Sequence, residues 1–425
     1  MSRKILLFII GLFFLIGLGF LIYQYLQPTQ TATSLPPSEI QNPFGNFFPT
    51  QNTPVNNVGQ TPVTDAPETI NFSEPIKKLR KISANPVAGS TVFDSTASAT
   101  STASTLFRYV ERATGHIYEM TATSTIPNRI SNTTIPSIYE AFFLDSKNQV
   151  AFRYLEKNNS IETYIATVRA TSTPDAAENK TYLEGSFMLK DITSFSVSPN
   201  GKNILTTLQN TAATNNVKFL AQIGATNNIT KQTSIFTSPV DIWIGDWFAN
   251  DIISMITKPS YTAQGVLYFV NVRTGVQEKK LGPIYGLMAK ASPNGRKIIY
   301  SRYTGTGIAT NIVNTADNIS KRVPVTTLAD KCVWSKDNIH VYCAVPANGL
   351  TGQYPDVWYM GLVSLNDSLI KINTELETTS TIMTFGSETP EPLDMVNLQL
   401  SPKEDFLVFT NKRDLSLWSL DIKQN

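Results

Sequence analysis

Few residues of this 425-residue chain combine type and spacing in a way that could do chemistry. The two cysteines are the sharpest pair. Cys332 and Cys343 open and close the run C-V-W-S-K-D-N-I-H-V-Y-C, symmetrically about the turn Lys336–Asn338. Residues symmetric about a hairpin turn lie opposite each other, with Cβ atoms close enough to bridge. Outside the cytoplasm such a pair should oxidise; in a reducing compartment it would stay two buried thiols. No C-x-x-C spacing accompanies it, so the expected disulfide is structural, not redox-active.

His116 and His340 are the only histidines, each in a β-rich run without a second ligand at metal spacing. Neither a metal nor a cofactor is expected. Nucleophile signatures are missing: G-x-S-x-G is absent, and Thr304-Gly305-Thr306-Gly307 lacks the Lys-Ser/Thr ending of a phosphate loop. No catalytic residue is therefore assigned. Five acids remain, Glu140, Asp191, Asp241, Asp330 and Asp394, each at or just before a β-rich run. If those runs met around one axis, the acids could ring its mouth and hold a cation or a basic ligand. Their unequal offsets from the following turns favour the plainer reading, polar residues at strand starts.

What must position these residues is a unit that recurs along the chain. It reads F-S-V-S-P-N-G-K-N-I-L-T-T-L at Phe195–Leu208 and A-K-A-S-P-N-G-R-K-I-I-Y-S-R at Ala289–Arg302. Weaker copies stand at Cys332–Cys343 and Leu398–Asn411. Each is an alternating run, a tight turn and a second β-rich run, which is a hairpin signal. Repetition at a near-regular period means a repeat architecture. Turns every ten residues or so, with no long amphipathic helix between them, indicate an antiparallel all-β fold.

The phase of the repeat puts the first strand of successive units near Val87, Tyr139, Thr193, Ile242, Leu287, Cys332 and Asn397. The last unit supplies three strands, Leu398–Leu400, Phe406–Thr410 and Leu415–Ile422, and then the sequence stops. The unassigned run Leu79–Ser83 ahead of the first unit can supply the fourth and close a circle without leaving an open edge. The expected fold is a seven-bladed β-propeller, or a six-bladed one if the weak first unit belongs to the closing blade. Tyr354–Gly361 lies in the longest insertion, inside the sixth unit, and carries Trp358 and Tyr359. It reads equally as a recognition loop or as a cap on one end of the propeller.

The turns Ser198-Pro199-Asn200-Gly201 and Ser292-Pro293-Asn294-Gly295, each followed by an apolar strand, resemble the TolB-type (PD40, WD40-like) propeller repeat. The resemblance covers about residues 76–422, with Asn where the family's turn usually has Asp. It implies a propeller. TolB's N-terminal α/β domain has no counterpart here, so TolB's partners are not implied.

The 35 basic and 33 acidic residues nearly cancel, which gives no footing for nucleic acid. Ile5–Leu26 is apolar and uncharged, about 30 Å long as a helix, with Arg3 and Lys4 before it. The positive-inside rule then leaves the N-terminus in the cytoplasm and the rest outside. Residues 1–26 are thus expected to be a signal anchor in the lipid bilayer, and residues 27–75, rich in Pro, Thr and Asn, a flexible linker. Within that linker, Phe44–Phe48 reads as a sticky spot or a docking motif. Residues 76–425 would be an extracytoplasmic propeller at the cell membrane. The function expected of it is non-catalytic binding or scaffolding at the cell envelope, with a protein or glycan partner; a glycan-acting enzyme using paired channel carboxylates is the alternative.

Overall fold

The computed structural model describes residues 77–95, 103–145, 147–170, 181–209 and 217–423. The expected anchor, the linker and the Phe44–Phe48 patch lie outside them. Among the described residues no helix is long and apolar enough to cross a membrane.

The described residues form seven four-stranded antiparallel sheets. Their innermost strands are Val87–Asp94, Glu140–Phe143, Ile192–Val197, Trp243–Ala249, Met288–Ala291, Cys332–Trp334 and Met395–Leu400. These starts fall within two residues of the phase read from the sequence. Blade seven consists of Met395–Leu400, Phe406–Asn411, Leu417–Asp421 and, as its outermost strand, β1 (Leu79–Ser83). Leu79 pairs with Leu420 and Lys81 with Trp418, so the closure expected from the orphan run is the one observed. The six-bladed alternative fails because the weak first unit makes its own sheet, although its outer strand is only Asn128–Arg129.

The Ser-Pro-Asn-Gly turn recurs because it closes its own hydrogen bonds. The Ser198 hydroxyl donates to Asn200 Oδ1 at 2.8 Å and accepts from the Asn203 amide at 2.9 Å. Asn200 Oδ1 also accepts from the Lys202 amide. Ser292 and Asn294 repeat the pattern on Lys297 and Arg296, and Ser401 accepts from the Phe406 amide. All three serines are buried, so the hydroxyl satisfies backbone groups that water could not reach. Gly201 holds φ of 74°, and a Cβ there would lie 2.6 Å from Asp145 Cα of the neighbouring blade. Only glycine serves both demands.

No single core holds the ring together. Seven apolar clusters each span two adjacent blades. One joins Val110 and Ile117 of blade one to Val150 and Phe152 of blade two; the last joins Leu417 and Val408 of blade seven to Phe107 and Tyr109 of blade one. This explains why the second strand of every blade but the fourth carries a run of consecutive buried residues, as in Lys297–Tyr303 and His340–Pro346. An eighth cluster, around Trp358 and Tyr354, lies outside this scheme.

Strand direction fixes two faces. Inner strands start on the face that carries the between-blade connections, here called the loop face, and end at the Ser-Pro-type turns on the opposite turn face. β1 is an outermost strand and so starts on the turn face; Leu417–Asp421 ends there too. Leu79 and Leu420 are both buried in the interface between blades six and seven. Leu79→Ala should therefore lower stability by about 2–5 kcal/mol. Urea unfolding checks this, and an unchanged midpoint would mean that β1 does not carry the closure.

Candidate functional site

The loop face is built most elaborately over blades four to seven. The insertion at residues 347–366 sits between His340–Pro346 and Asp367–Asn373 and carries one short helix, α1 (Asp356–Tyr359). It is fastened to three other blades. Asp356 accepts hydrogen bonds from Ser260 Oγ and the Tyr261 amide of blade four, at 2.8 and 2.7 Å. Gly307 of blade five bridges to Thr351, and the Gly352 amide donates to Thr306 O. Lys412 of blade seven donates to Trp358 O at 2.8 Å. Trp358 is 3 % exposed, in the cluster with Leu328, Leu350 and Leu365. Of the two readings left open for Tyr354–Gly361, Trp358 and Tyr354 follow the cap. Tyr359, 42 % exposed, and its neighbours Met360 and Leu362 remain at the surface.

Beneath the cap lies a charged cluster that sequence reasoning did not assemble. Lys331, Asp367 and Asp394 have no exposed side-chain surface. Lys331 Nζ lies 2.8 Å from Asp367 Oδ2 and 2.5 Å from Asp394 Oδ1, and donates to Met395 O. The Trp358 indole N–H donates to both Asp394 oxygens, at 3.2 and 3.1 Å, and the Leu365 amide donates to Oδ2 at 3.0 Å. Asp367 is served more thinly, by Lys331 and the Met395 amide. Burial pushes its carboxyl up to about 6 despite Lys331 and that amide. Lys331 and Lys412 flank the Trp358 ring, at 5.2 and 5.1 Å from its centre. The only sequence signal was a lysine inside the apolar run Leu328-Ala329-Asp330-Lys331-Cys332-Val333-Trp334.

An axial cavity of about 630 Å³ is lined by the inner strands of blades one, two, three, four and seven. Its carboxylates are Glu140 and Asp246. The buried Arg153 guanidinium donates to Glu140 and to Ile192 O. Asp246 accepts from Ser196 Oγ at 3.1 Å and lies 3.6 Å from Lys290 Nζ of blade five. That carboxylate, with Asp330 beyond it, raises the Lys290 ammonium above its ordinary range. Arg112 is the cation that lines the cavity itself. Each cavity carboxylate is therefore matched by a cation, and the wall suits a polar or zwitterionic group better than a lone metal ion.

The five acids singled out from the sequence do not meet as one ring. Only Glu140 lines the cavity. Asp191, in the left-handed backbone region, turns aside to accept from Ser160 Oγ and the Ile161 amide, which lower its carboxyl. Asp241 is exposed. Asp330 accepts from the Tyr359 hydroxyl; loss of water around that hydroxyl and the nearby Asp330 charge push it well above the usual tyrosine range. Asp394 is buried in the cluster under the cap.

Cys332 and Cys343 are directly opposed in register, with Sγ atoms 2.14 Å apart, at disulfide distance. His340 bonds Asp337 and Asn373, and His116 bonds Thr134; neither approaches a second metal-type ligand, and no metal-holding group of His, Cys, Asp or Glu occurs among the described residues.

Large apolar side chains stand exposed on the loop face: Phe187 and Leu189 between blades two and three, Val240 and Ile242 between three and four, Met360 and Leu362 on the cap.

No protein-family model matches the sequence, and no curated relative matches it. Among solved structures it is similar to the tricorn protease, with 9% identity and a TM-score of 0.51 over 83% of this chain and 35% of that one. It is similar also to oligogalacturonate lyase from Vibrio parahaemolyticus (9% identity, TM-score 0.47, 79% and 98% covered) and to TolB from Acinetobacter baumannii (10%, 0.40, 69% and 79%). What is shared is the propeller fold. A likeness at this identity shows the fold alone, so function must be argued from the sites on this propeller.

The cap makes one firm expectation. Trp358→Ala removes the indole that fills the eighth cluster and donates to Asp394, and should cost about 3–5 kcal/mol. Cleavage within 347–366 under limited proteolysis should quicken while the ring itself persists. Unchanged proteolysis would mean that the insertion is held without its tryptophan.

Proposed function

We propose that this chain is a membrane-anchored, extracytoplasmic binding module at the cell envelope, whose loop face docks a protein partner. The observation that carries the reading is the set of exposed apolar side chains on that face, from Phe187 and Leu189 across Val240 and Ile242 to Met360 and Leu362. Exposed apolar groups mark interaction sites in soluble proteins, and these six stand on the between-blade connections and the cap, while Ile126, Val276, Ile319 and Leu376 are exposed singly in separate blades on the turn face. A rigid ring of seven sheets presents such loops at little entropic cost on binding. The near-balance of charge speaks against nucleic acid.

The anchoring rests on the apolar run Ile5–Leu26 and the charges before it. A second reading, a glycan-acting enzyme, draws on one observation, that Glu140 and Asp246 both line the axial cavity. Against it, each is already held by a cation.

A pull-down from envelope extracts, using residues 76–425 with and without glycan digestion, tests the reading. A retained protein that is lost at least about tenfold with Leu189→Asp or Ile242→Asp supports it, since a buried charge opposes an apolar contact. Retention abolished by glycan digestion would move the ligand to carbohydrate, and turnover of an oligosaccharide that disappears in Glu140→Gln would establish the enzyme instead.

A further inference from the structure

The buried cluster of Lys331, Asp367 and Asp394 holds two carboxylates against one ammonium where no side-chain surface is exposed. Charges so placed carry a large desolvation penalty, which pairing offsets only when every lone pair is used. Here one is not: Asp367 Oδ1 has no hydrogen-bond partner. Their sequence neighbours Leu328, Ala329, Leu369, Leu393 and Met395 are buried as well. The two acids are also unequal. Asp394 accepts from the Trp358 indole N–H and the Leu365 amide, besides Lys331. Asp367 receives one backbone amide, on the oxygen nearer Lys331.

We propose that Lys331 and Asp367 join in an intramolecular isopeptide bond, with Asp394 as the proton acceptor. Asp367 carries the proton that the under-bonded carboxyl readily takes, which makes its carbonyl carbon an electrophile. Asp394, at 2.5 Å, removes a proton from Lys331 Nζ, and the free amine attacks that carbon, one bond beyond the Oδ2 it touches at 2.8 Å. The C–N bond forms, the C–O bond breaks and water leaves. Of the three ammonium protons and the one carboxyl proton, one stays on the amide, two depart with the water and one remains on Asp394. No oxidant and no co-reactant is needed. Fixed neighbours at contact distance supply the high effective concentration that an amine and a carboxylic acid lack in solution. The product replaces two buried charges by a neutral amide.

The bond would tie the first strand of blade six, just after Lys331, to the start of its third strand at Asp367. It would span the stretch that contains the cap and lie beside the Cys332–Cys343 pair. That places a second covalent tie in the blade that carries the insertion.

Intact mass of the full chain, after reduction of the cysteines, decides the matter. We expect a species lighter than the sequence mass by one water, and after digestion a branched peptide linking Lys331 to Asp367. Asp367→Ala and Asp394→Ala should each restore the full sequence mass. A folded wild-type chain at full mass overturns the proposal, and so does a water loss mapped to any other residue. The wild-type mass suffices even if a variant fails to fold. Titration gives an independent readout. A free Asp367, held at about 6 when folded and at 3.8 when unfolded, binds its proton more tightly in the folded chain. The stability it lends is present at low pH and fades as pH rises through about 6. Such a slope in the wild type, absent from Asp367→Ala, also overturns the proposal; an amide leaves none.

Discussion

Everything in this molecule depends on closing a circle. A blade is a four-stranded sheet with two apolar faces, and it is stable only when each face is covered by a neighbour. Seven such sheets in a ring cover one another completely, but the chain that forms them is linear and has two ends. The ring closes because β1, from before the first blade, hydrogen-bonds to Leu417–Asp421 in the last. Leu79 and Ile82 enter two different interfaces, the first with blade six and the second with blade one. One five-residue strand thus completes the sheet and two apolar clusters at once. Closure also accounts for the tight spacing at the axis, where a Cβ on Gly89 of blade one would lie 1.9 Å from Ala141 O of blade two.

The two faces of the ring solve different problems. On the turn face the hairpin turns are bound to one another. The Asp145 amide donates to Gly201 O, the Asn294 amide to Asn338 Oδ1, and Ser335 and Lys336 both donate to Glu404. Polar groups there are largely engaged with the next blade. On the loop face the connections vary in length, and the longest becomes a cap that spans blades four to seven. A cap that buries a tryptophan must satisfy its indole N–H, and Asp394 does so. A buried Asp in turn needs a cation, and Lys331 provides it. The second carboxylate, Asp367, bonds the amide of Met395, the residue that opens the innermost strand of blade seven. The charge cluster is therefore the consequence of roofing one end of the ring.

How much of this could be read from residues alone follows from the range of the interactions. The Ser-Pro-Asn-Gly turn was legible because its hydrogen bonds stay within six residues, Ser198 to Asn203. The Cys332–Cys343 pairing was legible for the same reason, since hairpin symmetry is local. Closure by Leu79–Ser83 is remote in sequence, yet a circle admits one solution, so a missing strand and an orphan strand found each other. The acids were another matter. Glu140, Asp191, Asp241, Asp330 and Asp394 share a place in the repeat but not a fate, because connections of different length set each in different surroundings. Asp246, which does line the axis, sits inside an inner strand, where nothing marked it as special. Lys331 was overlooked because its partners come from the third strand of its own blade and from the next blade, a pairing that no periodicity announces.

This division bears on what the propeller can do. Propeller repeats keep the turn face and the interfaces nearly constant, since each turn must fit its neighbour and each strand two sheets. Freedom to vary is left to the loop face and to the axial wall. In this chain the wall holds matched pairs: Glu140 with Arg153 on the second strand of its own blade, and Asp246 with Lys290 between the inner strands of blades four and five. Arg153 also donates to Ile192 O, so both pairs tie one blade to the next beside the axis. The loop face shows the opposite economy: apolar groups such as Leu189 and Ile242 stand in water where a polar residue would serve the fold equally well. A position that gains nothing from being apolar in the isolated ring calls for something to cover it, which is why the loop face, not the axis, is the surface proposed for docking.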